Sequence, residues 1–339
     1  VEIQRIESHD GALATIIDVR KTSYTVGGRT IHGLTYQGGF MGPTLVVEPG
    51  DTIALTLHND REHETNFHTH GLHTSPIDIS DNVLRVMPGY TENEVRIDVP
   101  DGIAPGTYWY HAHLHGLTES QVFGGLSGAL VIGGLEEHLP EALRGIPDHL
   151  IALKDVQLDG DAIVDENIDS GAPTTRVVNA QVNPVLQAQP GCTQLLRLGN
   201  FGADIWYQLQ LDGAAFHVIA EDANLVTRVE AHDTLLLPPA KRFDVLVRWD
   251  APGTHTLRTL AYSTGPQGDQ YPERVLATFQ VAGEAVDPMP MPVDLGPLPE
   301  DQAPTMGDDP IAARHTFVFI EDNKACTFFI NDESFSTGA

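Results

Sequence analysis

Pro43-Thr44-Leu45-Val46-Val47-Glu48-Pro49-Gly50-Asp51-Thr52-Ile53-Ala54-Leu55-Thr56-Leu57-His58-Asn59 carries two signals at once. After the Pro-Gly turn it alternates, with Ile53, Leu55 and Leu57 against Thr52, Ala54 and Thr56. A period of two is what a strand with one buried face requires. The stretch also returns without a gap. Pro43, Leu45, Pro49-Gly50, Thr52, Leu55, Leu57 and Asn59 become Pro184, Leu186, Pro190-Gly191, Thr193, Leu196, Leu198 and Asn200. Further on, Pro105-Gly106-Thr107 is matched by Pro252-Gly253-Thr254.

Short apolar runs such as Leu235-Leu236-Leu237 and Val245-Leu246-Val247 are bounded by Gly, Pro, Asn and Asp, and no long helical period competes with them. This is the pattern of an all-β sandwich, present twice in tandem. The copies are expected at residues 1–140 and 145–284. A Pro- and acid-rich linker follows over 285–312, with Pro288, Pro290, Pro292, Pro297, Pro299, Pro304 and Pro310. Such a segment is expected to be extended and coreless. Phe329-Ile330-Asn331-Asp332-Glu333-Ser334-Phe335 then resembles Val177-Val178-Asn179-Ala180-Gln181-Val182-Asn183. Residues 313–339 therefore read as the start of a third copy. A few strands cannot close a sandwich, so the chain is expected to be a fragment whose completion takes roughly 100 further residues.

The first copy contains something the second lacks. His68-Thr69-His70 and His111-Ala112-His113 each lie in a run that reads as a strand. His68 and His70 then share one face, and so do His111 and His113. By the repeat, the place of His68 falls near Leu209, that of His111 on Arg258 and that of His113 on Leu260. The sandwich was repeated without the imidazoles, so building the fold does not require them. Four converging imidazoles make a site for a borderline transition metal, and copper is the divalent ion such donors hold most tightly.

The rest of the sequence bounds the function. The chain has 339 residues and a net charge of −28, with 47 acidic and 19 basic residues. This argues against nucleic acid and anionic membrane as partners. No run of eighteen apolar residues is present, so no membrane-spanning helix is expected. The N-terminal Val1-Glu2-Ile3-Gln4 carries no signal-peptide pattern. Cys192 and Cys326 are the two cysteines, without metal-ligand spacing, and read as unpaired thiols.

These motifs resemble the three-domain multicopper oxidases, in particular bacterial laccase-like enzymes. The resemblance rests on Asn66-Phe67-His68-Thr69-His70-Gly71-Leu72-His73, on Gly106-Thr107-Tyr108-Trp109-Tyr110-His111-Ala112-His113-Leu114-His115-Gly116, and on Gly124-Gly125-Leu126-Ser127-Gly128. The second copy matches more loosely, through Val178-Asn179 and Leu237-Pro238-Pro239-Ala240-Lys241-Arg242. The resemblance implies cupredoxin-like Greek-key β-sandwiches, two complete and a third begun. It implies that His68 ligates a type 2 copper and that His70, His111 and His113 ligate a type 3 pair. It further implies O2 as oxidant, a phenol or aromatic amine as reductant, and a location in the periplasm or outside the cell.

In this family a third domain supplies four more histidines and a type 1 site with a Cys beside a His. No such motif is present. The chain alone is therefore expected to hold half of a trinuclear site and to have little oxidase activity. A cuprous-ion oxidase or copper-resistance protein is an alternative. A copper-free scaffold is another, although members of that kind have lost the histidines. A two-domain nitrite reductase would need a Cys beside the second His pair.

Asp81, in Ser80-Asp81-Asn82, resembles a family acid that delivers protons near the cluster; Asp78 and a plain Asp-Asn turn are the competing readings. His73 and His115 read as packing or surface residues, Trp109 and Tyr110 as core, and the remaining histidines as ordinary. Met289 and Met291 are too few for a copper-collecting segment.

Overall fold

The computed structural model describes residues 3–164, 168–169, 171–266, 268–296, 313–322 and 327–334. Pro297, Pro299, Pro304, Pro310, Cys326 and Phe335 lie outside the described residues. The regular structure consists almost wholly of strands. In order they are β1 (Arg5–Glu7), β2 (Ala12–Val26), β3 (Arg29–Tyr36), β4 (Thr44–Val47), β5 (Thr52–Asn59), β6 (His68–His70), β7 (Thr91–Asp98), β8 (Gly106–His111), a helix α1 (Thr118–Gly124) and β9 (Ser127–Ile132). One sheet runs β1-β4-β9-β8-β6 and the facing sheet contains β3-β2-β5-β7. Between them lies a core of Leu13, Ile17, Ile53, Leu55, Leu57, Phe67, Tyr110 and Leu130, among others.

The second copy follows as β10 (Asp148–Val156), β11 (Leu158–Asp159), β12 (Ala162–Ile163), β13 (Thr175–Val178), β14 (Val185–Ala188), β15 (Thr193–Asn200), β16 (Tyr207–Leu211), β17 (Phe216–Glu221), β18 (Asn224–His232), β19 (Thr234–Leu237), β20 (Arg242–Arg248), β21 (Gly253–Leu260), β22 (Tyr262–Ser263), β23 (Gln270–Tyr271) and β24 (Arg274–Val281). Its sheets run β13-β10-β15-β20-β17-β18 and β14-β24-β21-β16-β19. The β11–β12 hairpin instead extends the first sandwich, where Ala162 pairs with His32.

The repeated stretches do the same work in both copies. Asn59 Nδ2 donates to the carbonyls of His63, Met87 and Pro88, and Asn200 Nδ2 to those of Ile205 and Leu237. Each buried amide ties the end of its strand to the following loops. Ahead of each stretch the chain turns through two positive-φ residues, Gln37-Gly38 in one copy and Asn179-Ala180 in the other. That is the turn whose twist suits a two-residue hairpin. The copies differ in one respect. β5 alternates between buried and half-buried positions, whereas every residue of β15 is buried. Leu135, Leu139 and Leu143 cover the outer face of the second sandwich at Leu195 and Leu246, which accounts for the doubled Leu195-Leu196.

The two sandwiches share apolar contacts. Val26, Ile31, Phe40 and Phe123 pack with Val156, Ile163 and Val177, and Met41, Trp109, Val122 and Ala129 with Ala152 and Phe201. Lys154 is buried in this seam. Its Nζ donates to the Val122 carbonyl (3.0 Å) and Ser127 Oγ (2.9 Å) and lies 4.5 Å from the centre of the Phe40 ring. Burial pushes the Lys154 ammonium down to about 7. An unfolded lysine keeps its proton to about pH 10.4. Between these values the unfolded chain binds more protons than the folded one, so this residue makes stability rise with pH. Lys154→Met is expected to flatten that rise, read as the thermal midpoint between pH 7 and 10. An unchanged slope would mean that the folded ammonium titrates normally.

The linker departs from its expectation where it is described. It is extended but docked: Met289, Met291 and Leu295 pack on the outer core of the second sandwich, and Val229 N donates to the Val293 carbonyl. A single β-bridge, Arg228 with Asp294, ties it there. The two methionines are thus packing residues. Residues 313–322 and 327–334 belong to a separate unit with β25 (Phe319–Asp322), β26 (Thr327–Ile330) and β27 (Glu333–Ser334), whose pairings are antiparallel. Its Asn331-Asp332 turn has φ values of 54° and 65°, beside 51° and 62° at Asn179-Ala180.

Candidate metal centre

The two histidine motifs meet because β6 and β8 are paired. His68 stands opposite His111 and His70 opposite Trp109. Ring nitrogens of His68, His70 and His111 lie within 4.8 Å of one another. His113 sits just past the end of β8, so the second pair runs off its strand instead of lying within it. Its backbone N–H is held by Asn66 Oδ1 (2.6 Å), and its ring centre lies 5.0 Å from that of His68. The four imidazoles are therefore neighbours, with His113 on the exposed side and His111 buried.

Hydrogen bonds fix which nitrogens are bare. His111 Nδ1 is 2.8 Å from the Ala112 carbonyl, which can only accept, so Nδ1 carries the proton and Nε2 is open. His68 Nδ1 is 2.7 Å from Asp81 Oδ1, which leaves His68 Nε2 open in the same way. His111 Nε2 lies 3.4 Å from His70 Nδ1. A metal ion about 2.0 Å from each nitrogen fits between them. Burial, assisted by the nearby Arg242 charge, holds His70 down at about 4. Burial also lowers His111 well below the usual range and lowers His113. Neutral imidazoles are what copper requires, and the donor set fits it.

Asp81, rather than Asp78, meets the site. It is 7% exposed, and besides His68 it accepts from Thr69 N (3.2 Å) and Thr69 Oγ1 (2.5 Å). Asp78 lies at the surface in a left-handed turn position, φ 54°. Trp109 stacks on His111 at 4.0 Å, and Phe201 of the second sandwich stacks on Trp109 at 5.7 Å. Tyr110 is core, its hydroxyl bonded to the Pro43 carbonyl. His115 and His73 are both exposed.

Two multicopper oxidase family profiles match, one over residues 18–137 and one over 109–283. The second alone spans more than half of the chain. The chain belongs to the multicopper oxidase family. Among curated relatives, a "Multicopper oxidase mco" of Staphylococcus haemolyticus is 29% identical over 220 residues, covering 63% of this chain and 48% of the relative. A "Cell division protein FtsP" of Edwardsiella tarda is 31% identical over 229 residues, covering 66% and 48%. The chain thus spans about half the length of the curated relatives it matches. In fold it is similar to a multicopper oxidase from Campylobacter jejuni described as a metallo-oxidase, with TM-score 0.76 and 22% identity over 92% of this chain and 65% of that one. McoA from Aquifex aeolicus gives TM-score 0.80 and 19% identity over 98% and 73%.

In this multicopper oxidase chain the second sandwich shows what the site positions become without metal chemistry. Gln210 stands opposite Arg258, as His68 stands opposite His111. The repeat had pointed to Leu209; one residue of slip turns a side chain to the other face. Asp212, at the place of His70, accepts from Arg258 Nη2 at 2.6 Å. An ion pair at the surface replaces two imidazoles. Sequence reasoning missed Arg242 and Asp244. Both are buried charges, at 3% and 1% exposure, on β20, where Phe243, Val245, Leu246 and Val247 are buried beside them. The available signal was two charges flanking Phe243 in a strand otherwise read as core.

Proposed function

We propose that His68, His70, His111 and His113 are copper ligands, half of a trinuclear set, with His68 on the type 2 ion and the other three on the type 3 pair. The observation that supports this most is the approach of His111 Nε2, left bare by the Nδ1 bond to the Ala112 carbonyl, to within 3.4 Å of His70 Nδ1. Bound copper supplies one-electron redox cycling and a place for O2 to be reduced to water. The chain's own part is to present unprotonated nitrogens in fixed directions and to keep a carboxylate, Asp81, beside them. Asp81 holds the proton on His68 Nδ1 and is placed to pass protons toward the site.

The reaction is proposed for the protein in which a further cupredoxin domain accompanies this chain: laccase-like oxidation of phenols or aromatic amines, outside the cytoplasm. No helix among the described residues is long and apolar enough to cross a membrane. The relatives described as a metallo-oxidase and as a cell division protein keep a cuprous-ion oxidase and a scaffold as second readings. The convergent neutral histidines favour an oxidase over a scaffold. Oxygen uptake by the complete, copper-loaded protein separates the three. Uptake driven by a phenol such as 2,6-dimethoxyphenol is expected. Uptake driven only by Cu(I) supports the metal oxidase, and no uptake with either reductant supports the scaffold.

A further inference from the structure

We propose that Arg242, from the ligand-free second sandwich, is a positioning residue that fixes His70 against His111. The inference rests on the reading of these histidines as copper ligands.

Strand β6 needs such help. It is three residues long, lies at the edge of its sheet, and among the described residues has β8 as its only strand neighbour. A ladder that short on one side leaves its ends weakly held. At the His68 end, Asp81 grips both Thr69 and the His68 ring. At the other end the His70–Gly71 step lies against the Tyr108 ring and a side chain of the second sandwich. There the guanidinium of Arg242 enters from β20. Its Nε donates to the Thr107 carbonyl on β8 (3.1 Å), and its Nη1 donates to the Ala240 carbonyl (2.7 Å) and pairs with Asp222 (3.1 Å). These bonds leave the planar group no freedom to swing.

Its Nη2 lies under the residue that follows His70. A Cβ on Gly71 would come within 3.1 Å of that atom and 3.0 Å of the Tyr108 ring. Gly71 also has φ +97°, so the chain leaves β6 in a shape and at a distance suited to glycine. Two residues along β20, Asp244 accepts from Thr107 N (3.0 Å) and Thr107 Oγ1 (2.6 Å). The second sandwich thus holds β8 with one side chain and braces the end of β6 on β8 with the other. The spacing of His70 from His111 is set across the domain seam. This gives the second copy a role at the metal centre although it donates no ligand.

The test is Cu(II) affinity of this chain by chelator competition, together with the electron paramagnetic resonance spectrum of the bound ion. The same is measured for Arg242→Met, Arg242→Lys, Lys154→Met and His70→Ala/His111→Ala. Arg242→Met is expected to weaken copper about 10-fold, within the range for groups that orient metal ligands, and to change the spectrum. Arg242→Lys is expected to restore part of the affinity. Lys154→Met alters the same seam without touching β6 and is expected to leave affinity and spectrum unchanged. If Arg242→Met does not fold, Arg242→Lys against Lys154→Met decides.

Wild-type affinity in the Arg242 variants, or an equal loss in Lys154→Met, overturns the proposal while leaving the histidine reading intact. Copper binding that survives the double histidine variant, or no binding at all, overturns both.

Discussion

Replacing His111 by alanine is expected to lower copper affinity more than about 100-fold, beyond the range seen for residues that only orient a ligand. The reason is geometric. His111 is the buried member of the set, and its Nε2 lies 3.4 Å from His70 Nδ1 while its ring packs edge-on to His68. Removing it takes away one of two nitrogens that a single ion can share and opens the space between the others. Trp109 loses one of its two stacking partners and keeps Phe201. The measurement is a chelator-competition titration of the folded variant, with far-ultraviolet circular dichroism as the check on folding. Binding within threefold of wild type would show that the ion sits elsewhere.

Asp81→Asn is expected to weaken copper about 10- to 100-fold and to depress oxidase turnover of the complete protein. An amide of the same shape still fills the pocket, so the loss is not one of packing. The carboxylate accepts from the His68 ring and from Thr69 N and Oγ1. An amide can accept at its oxygen only, and its NH2 must face either a Thr69 donor or His68 Nδ1. Facing His68, it favours the wrong tautomer, with the proton on the nitrogen needed for metal. Asp78→Asn, at the surface, serves as the matched control and is expected to change neither quantity. Equal behaviour of the two variants would remove Asp81 from the site.

Much of this arrangement was legible in the residues themselves. The period of two in Ile53, Leu55 and Leu57, the ungapped return at Leu196 and Leu198, and the Asn that ends each stretch gave the tandem sandwiches. The His-x-His spacing gave the shared face of His68 and His70 on β6. What the chain order hid is where strands end and what crosses between copies. His113 lies beyond β8 because the ladder stops at His111, a boundary set by pairing and not by composition. The β11–β12 hairpin joins the earlier sandwich through a single pairing at His32, which local sequence does not announce. The choice between Asp81 and Asp78 depended on loop path. Arg242 is separated from Gly71 by most of two domains, and only the fold brings them together. The linker was expected to be coreless because proline-rich chain has no core of its own, yet Met289 and Met291 borrow one from a neighbouring sheet.

Whether these histidines hold copper is decided by anomalous diffraction at the copper edge from crystals of the copper-loaded chain. An anomalous peak is expected about 2.0 Å from both His70 Nδ1 and His111 Nε2, with His68 Nε2 facing the same space. Peaks only at surface residues, or none at the β6–β8 pair in a fully loaded crystal, would contradict copper binding by these histidines.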